Sequence, residues 1–252
     1  MSGISGINNS LASSYSHLSS GKKINTASDG ATELTMIEKN NTQITGYNVG
    51  KDNLESGKEV INVSDSALSN VTDSLQRMYE LSLSAANTAT MSDSDRSALQ
   101  DEFDQLKQGI SDITSQTQYN TKNLLDGSNP AFELATDANG NSTTVETANL
   151  NSSDIDLENL SLDDTDAISK ALDTVTSMRS NMGAESNRID YEKNYNAQAA
   201  YNALSSKSSL EDLDYPQAVS DQKKQETLQA YSLMMQRKQE EEERNRMNSL
   251  FT

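Results

Sequence analysis

Apolar side chains recur at seven-residue intervals along two long stretches of this chain. Tyr47, Leu54, Ile61, Leu68 and Leu75 fall one heptad apart, inside a run from about Glu33 to Asn87 that contains no proline. Ile168, Val175, Met182 and Ile189 repeat the interval, with Leu172 on the same face and a weaker continuation through Tyr195, Ala199 and Leu204. An apolar position about every 3.6 residues places these side chains on one helix face. The positions that would complete a zipper in the first stretch are polar (Lys51, Lys58, Asp65), so the expected seam is narrow.

A third helix is predicted between them. Leu99, Phe103, Leu106, Ile110, Ile113 and Thr117 alternate four and three residues apart, after a Met91–Asp95 turn whose Ser and Asp can cap the helix. Turn chemistry begins at Asp126-Gly127-Ser128-Asn129-Pro130. Beyond it, the β-prone runs Ala131–Thr136 and Thr143–Thr147 flank Asn139-Gly140, the signal of a hairpin with a type I′ turn. Asp214-Tyr215-Pro216 reads as a helix restart. The last helix carries Leu228, Tyr231 and Met235, then a charged run Arg237–Arg246 with Glu240–Arg244 and Glu242–Arg246 at i,i+4. Ile4, Ile7, Leu11, Tyr15 and Leu18 form a short stripe at the N-terminus.

These elements predict a mainly α fold, a long antiparallel helical bundle or coiled coil with a small β-hairpin tip. Their order is nearly a palindrome, so the chain ends pack side by side and the middle forms the far tip. The Leu54, Ile61, Leu68, Leu75 stripe is expected to pack against Ile168, Val175, Met182 and Ile189.

Composition agrees with a thin interior. Hydrophobic residues make up 33% of the 252 residues, with 5% aromatics and no Trp, against roughly 45–50% apolar in ordinary globular domains. A net charge of −18 argues against a nucleic-acid partner, since phosphate binding requires clustered Lys and Arg. It also argues against an anionic membrane surface, and no apolar run is long enough to span a bilayer. The first ten residues lack a charged n-region and an apolar h-region, so no cleavable signal peptide is expected. There is no Cys and so no thiolate metal site.

Catalysis has little to use. His17, the one histidine, lies beside Ser14, Ser16 and Ser19 in a terminal arm too polar to build a water-excluding pocket. Asp137-Ala-Asn139-Gly140-Asn141 starts like a calcium loop, but Ser142 and Ala148 occupy the positions that need Gly and a bidentate acid. No phosphate-cradling glycine pattern occurs. Neither a catalytic residue nor a metal or cofactor is expected.

Four segments resemble bacterial flagellin, in order along the chain. Leu18-Ser-Ser-Gly-Lys-Lys-Ile24-Asn25 with Ala27-Ser-Asp29 is similar to LSSGxxIN followed by A-x-D. Leu75-Gln-Arg-Met-Tyr-Glu-Leu81 with Ala85-Ala-Asn87 is similar to LQRxREL and AAN. Gln118-Tyr-Asn120-Thr-Lys-Asn-Leu-Leu-Asp-Gly127 resembles T-x-FNGxxLLDG, and Arg179-Ser-Asn-Met-Gly183-Ala184 with Asn187-Arg188-Ile189 resembles RxxLGAxxNRL.

The resemblance implies terminal helical segments at 1–24 and 217–252 lining a filament channel. It further implies a helical core domain at 25–127 and 166–216, and a variable β/loop tip at 128–165. It implies a secreted, extracellular subunit that polymerises with itself for motility, exported unfolded by the flagellar type III apparatus with an export chaperone. The hook–filament junction protein, a minor flagellin, or a secreted helical ligand of an innate immune receptor are the alternatives. Two departures stand out: 17 residues precede Leu18, where the family's arm is commonly longer, and a charged run precedes Leu250-Phe251 where the family is apolar. Many flagellins are bound by Toll-like receptor 5 through an Arg and a Leu of the second motif and a Glu on the next helix. These carry over to Arg77, Leu81 and Glu102, with Tyr79 where the family has a second Arg.

Overall fold

The computed structural model describes residues 2–87, 91–151, 155 and 159–250, with side chains from 6 to 249 within those ranges. Ile4 of the N-terminal stripe and the Leu250-Phe251 end lie outside the described side chains. Five helices dominate: α1 Ser2–Ser20, α2 Ala31–Ala85, α3 Asp93–Gln116, α4 Thr165–Glu211 and α5 Tyr215–Leu250. Two antiparallel hairpins complete the fold, β1 Gln118–Tyr119 with β2 Lys122–Asn123, and β3 Ala131–Ala135 with β4 Ser142–Glu146. The chain forms two compact units, one from residues up to Ile44 and from Tyr201 onward, the other from Thr45–Ala200. No helix among the described residues is long and apolar enough to cross a membrane.

In the Thr45–Ala200 unit, α2 and α4 run antiparallel. Lys58 Nζ meets Asp190 at 2.7 Å, Arg179 Nε meets Asp65 at 2.9 Å, and Lys193 pairs with Glu55. As α2 numbers rise, their α4 partners fall, down to a Ser82–Thr165 hydroxyl bond of 2.6 Å. Lys58 and Asp65, the polar positions of the first stripe, are thus the residues that register the two helices. Exposed pairs of this kind stabilise by only about 0–1 kcal/mol each. The attraction comes from the stripes themselves: Leu54, Ile61, Leu68, Leu75, Ile168, Val175, Met182 and Ile189 are all buried in one apolar cluster. Burying each such side chain contributes about 1.5–3 kcal/mol.

The seam is wider than the heptads suggest. Val60, Ala67, Val71, Met78 and Leu81 form a second buried row on α2, which meets Phe103 and Ile110 of α3 in the same cluster. On α4 the heptad continues through buried Asn196 and, in the other unit, Ala203, whereas Tyr195 and Leu204 face solvent. Helix α3 begins with a capping box between Ser92 and Asp95.

The described residues of 128–165 are not a detached excursion. Val145, Ala148, Leu150, Ile155, Leu160 and Leu162 are buried in the common cluster, as are Leu124 and Leu125 before them. The β3–β4 hairpin lies back along α2 instead of projecting past its end. Gly46, Gly50 and Gly57 make this approach possible: a Cβ on them would overlap Ala138, the Thr136 carbonyl and Leu134, respectively. Asn53 Nδ2 then donates to Ala135 O at 2.9 Å, and Asn196 Nδ2 to Thr136 O at 2.8 Å. The outer edge of β4 is covered by α4, with Glu185 accepting from the Glu146 amide at 3.2 Å and Arg188 donating to Thr144 O. Such cover prevents an open strand edge from pairing with foreign chains.

The turn at Asn139-Gly140 differs from expectation. The loop at Asn139-Gly140 has six residues, 136–141, closed by Thr136 N donating to Asn141 O at 2.8 Å. Only Gly140 there takes a positive φ, of 86°. Asp137 organises it by accepting from the backbone N–H of Asn139 and Asn141. The two-residue turn with both φ positive is instead Asn120-Thr121, at 48° and 65°. Thr121 is β-branched and strained in that region, at the position where the flagellin motif carries Gly.

The glycines supply a test by contrast. Gly183 of α4 has open space around it, so Gly183→Ala should stabilise by about 0.5–1 kcal/mol through helix propensity. Gly50→Ala, also in a helix, should destabilise because the hairpin backbone must move. Urea unfolding of the two variants checks the opposite signs.

Candidate interaction surfaces

The unit that joins the chain ends is built mainly from polar bonds. Helices α1 and α5 are antiparallel, with Gln229 Nε2 donating to Asn8 at 2.7 Å, Ser14 Oγ to Gln225 at 2.9 Å, and Tyr15 OH to Glu226 at 2.9 Å. Tyr215 OH reaches Leu18 O at 2.7 Å. Asp214 caps α5 by accepting from Gln217 N at 3.2 Å, the restart predicted at Pro216.

The first motif closes this unit. Gly21, at φ 70°, ends α1, and its carbonyl accepts from Leu213 N at 3.0 Å. Lys22 and Lys207 pair with buried Glu211. Burial acts to raise the Glu211 carboxyl, yet the Lys22 hydrogen bond and the Lys207 and Lys22 charges hold it below its ordinary value. Asp29 accepts from Thr26 N at 2.8 Å and Asn25 N at 3.0 Å, and His17 Nε2 lies 3.3 Å from its other oxygen. The backbone bonds from Thr26 and Asn25 lower its carboxyl to about 2.

Helix α5 leaves large apolar side chains exposed on several sides among the described residues. Leu228, Tyr231, Leu233, Met234, Met235 and Met247 are each about half exposed or more. The i,i+4 pairs expected at Glu240–Arg244 and Glu242–Arg246 are not formed among the described residues.

The residues carried over as receptor contacts are only partly brought together. Arg77 Nε bonds Glu102 at 2.7 Å and Arg77 Nη1 bonds Glu80 at 3.0 Å, across half-exposed α2 and α3 surfaces. The Glu102 and Glu80 hydrogen bonds raise the Arg77 pKa, and the Arg77 bond lowers that of Glu102. Leu81 departs from the expected exposed patch: it is 2% exposed. It belongs to the second α2 row, which shares one buried cluster with Phe103 and Ile110 of α3 and with Leu150, Ile155 and Leu162. Part of that cluster comes from residues without periodicity, of which the heptad pattern gives no warning. Likewise Gly46, Gly50, Gly57, Asn196 and Glu185 escape a reading by apolar spacing. Glycine at four- and seven-residue intervals inside a helix is the signal that marks the first three, since each costs about 1 kcal/mol against Ala.

Paired end helices and an antiparallel heptad seam define a class, a helical protein whose two sequence halves fold together. Family models for the bacterial flagellin N-terminal helical region and the bacterial flagellin C-terminal helical region match residues 1–130 and 165–243. The chain belongs to the bacterial flagellin family. It is 38% identical to a flagellin of Clostridium tyrobutyricum over 130 residues, 52% of this chain and 34% of that one. It is 39% identical to the flagellar filament 30.7 kDa core protein of Treponema maltophilum over 123 residues, 48% of this chain and 43% of that one. The matched part spans less than half of each relative. The crystal structure of Bacillus cereus flagellin superposes with a TM-score of 0.53 at 25% identity, covering 57% of this chain and 88% of that one.

Two outcomes test these assignments. Leu81→Ala should lower stability by about 2–5 kcal/mol, as expected of a core side chain and not of a surface contact. Because the Asp29 carboxyl is depressed in the folded chain, its stabilisation is present above its unfolded value near pH 4 and is lost as pH falls through about 2. NMR titration should therefore find the Thr26 amide bonded down to about pH 2 in the parent and unbonded at neutral pH in Asp29→Ala, which has no acceptor.

Proposed function

We propose that this chain is a structural subunit of the bacterial flagellar filament, polymerising with its own copies outside the cell and catalysing nothing. Membership of the flagellin family supports this reading. The observation that carries it is the set of exposed apolar side chains along α5, from Leu228 to Met247, on a helix joined to α1 by polar side-chain bonds. Ordering a helix costs roughly 1–2 kcal/mol per residue of backbone, and burial between subunits offsets that cost. Domain roles follow: 1–24 and 217–252 as inter-subunit helices, 25–127 and 166–216 as the helical core, and 128–165 as the β/loop region. Export through the flagellar type III apparatus, with a chaperone for the end helices, belongs to the same proposal. The alternatives, a junction protein, a minor flagellin or a free receptor ligand, differ in whether the pure protein forms long filaments.

A second reading is favoured by the Arg77–Glu102 pair, which leaves both charged groups half exposed on neighbouring helices. It assigns Arg77 and Glu102 as contacts for Toll-like receptor 5, with Leu81 supporting them from beneath.

Seeded polymerisation followed by negative-stain microscopy tests the first reading. The parent should elongate filament seeds, and Leu228→Asp/Met235→Asp should not while retaining the circular dichroism of the core. Failure of the parent to elongate would overturn the proposal. For the second reading, Arg77→Ala should lose potency in a receptor reporter assay, and equal potency would remove the site.

A further inference from the structure

We propose that Asn139, in the β3–β4 loop, is a site of spontaneous modification in the folded protein, converting through a cyclic imide to aspartate and isoaspartate. The reaction needs the backbone nitrogen of the next residue to reach the side-chain carbonyl carbon. Asn139-Gly140 is the one Asn-Gly pair in the chain, and its surroundings leave that path open. Both residues are exposed. Gly140 carries no side chain, and nothing lies within 4 Å of where a Cβ would stand. Its own N–H makes no hydrogen bond among the described residues. Its neighbours are tied: Asn139 N donates to Asp137 Oδ1 at 2.8 Å and Asn141 N at 3.1 Å. An amide already engaged must first break its bond; the Gly140 nitrogen has none to break. Asn139 Nδ2 donates to Asp137 Oδ2 at 3.2 Å, which keeps the reacting side chain over the loop.

The step balances with water alone. Hydroxide removes the Gly140 N–H proton, the nitrogen attacks Asn139 Cγ, a C–N bond forms and the Cγ–Nδ2 bond breaks. Nδ2 leaves as ammonia. Water then opens one of the two imide C–N bonds, giving aspartate or, by the other bond, isoaspartate. Each route leaves one new carboxylate on a chain already at −18.

That charge would appear beside Asp137, where Asn139 had been a donor. The loop it loosens is the one seated on Gly46 and Gly50 and held by Asn196 through Thr136 O. The isoaspartate form also lengthens the backbone by one carbon. Ageing would therefore release the hairpin loop from α2 and α4 while leaving the apolar seam intact.

The full-length folded chain is incubated in mildly alkaline heavy-oxygen water and mapped by mass spectrometry after proteolysis. Asn139 should take up the label well above Asn141 and Asn149. Asn139→Gln, which would need a larger and slower ring, should abolish that label. Hydrogen exchange should rise at residues 136–141 in the aged parent and stay unchanged in Asn139→Gln. The excised peptide around Asn139 serves as the chemical control. Label in that peptide with none at Asn139 of the folded chain would overturn the proposal, as would equal labelling at Asn141.

Discussion

The apolar contact between α2 and α4 is what the rest of this molecule depends on. Neither helix can persist alone at its length with so few apolar side chains, because helical stability in proteins comes mainly from packing of one face. Together they bury two heptad rows, and the Lys58–Asp190 and Arg179–Asp65 pairs set their register. Charge fixes which residues meet; burial supplies the energy. A chain with 33% hydrophobic residues can use this solution because a seam needs fewer core residues than a globule.

Everything else in the Thr45–Ala200 unit attaches to that seam. Helix α3 adds Phe103 and Ile110, and Leu150, Ile155 and Leu162 join the same cluster. The β3–β4 hairpin attaches differently, by backbone approach to a helix without Cβ atoms at Gly46 and Gly50. Its bonds come from Asn53, Asn196 and Glu185. Burial raises the Glu185 carboxyl above its ordinary value, a sign of how closely β4 is covered. The unit holding the chain ends has the opposite character, with polar bonds between α1 and α5 and apolar side chains facing outward. That contrast between a finished core and an unfinished end unit is what self-association would use.

The helices were legible because periodicity survives in sequence: Leu54 to Leu75 and Ile168 to Ile189 announce their own faces. The hairpin strands were legible from β-prone runs around a turn pair. Burial of Leu124, Leu125 and Leu160 was not, because non-periodic segments bury side chains by chain path and not by spacing. Leu81 shows the cost of that gap, since a residue carried over as a surface contact lies in the buried cluster. The position of the type I′-like turn was also hidden. Asn120-Thr121 lacks the glycine that marks such turns, and Asn139-Gly140 has it in a longer loop. Asn196 was invisible for a simpler reason: a polar residue continues an apolar heptad because it bonds a strand end.

The central claim is that the α2–α4 seam holds the folded subunit. Leu68 is the residue to test, fully buried midway along α2. Equilibrium urea unfolding of Leu68→Ala, followed by circular dichroism, measures its contribution. The account predicts a loss of about 2–5 kcal/mol in a single transition; a change within experimental error would contradict it.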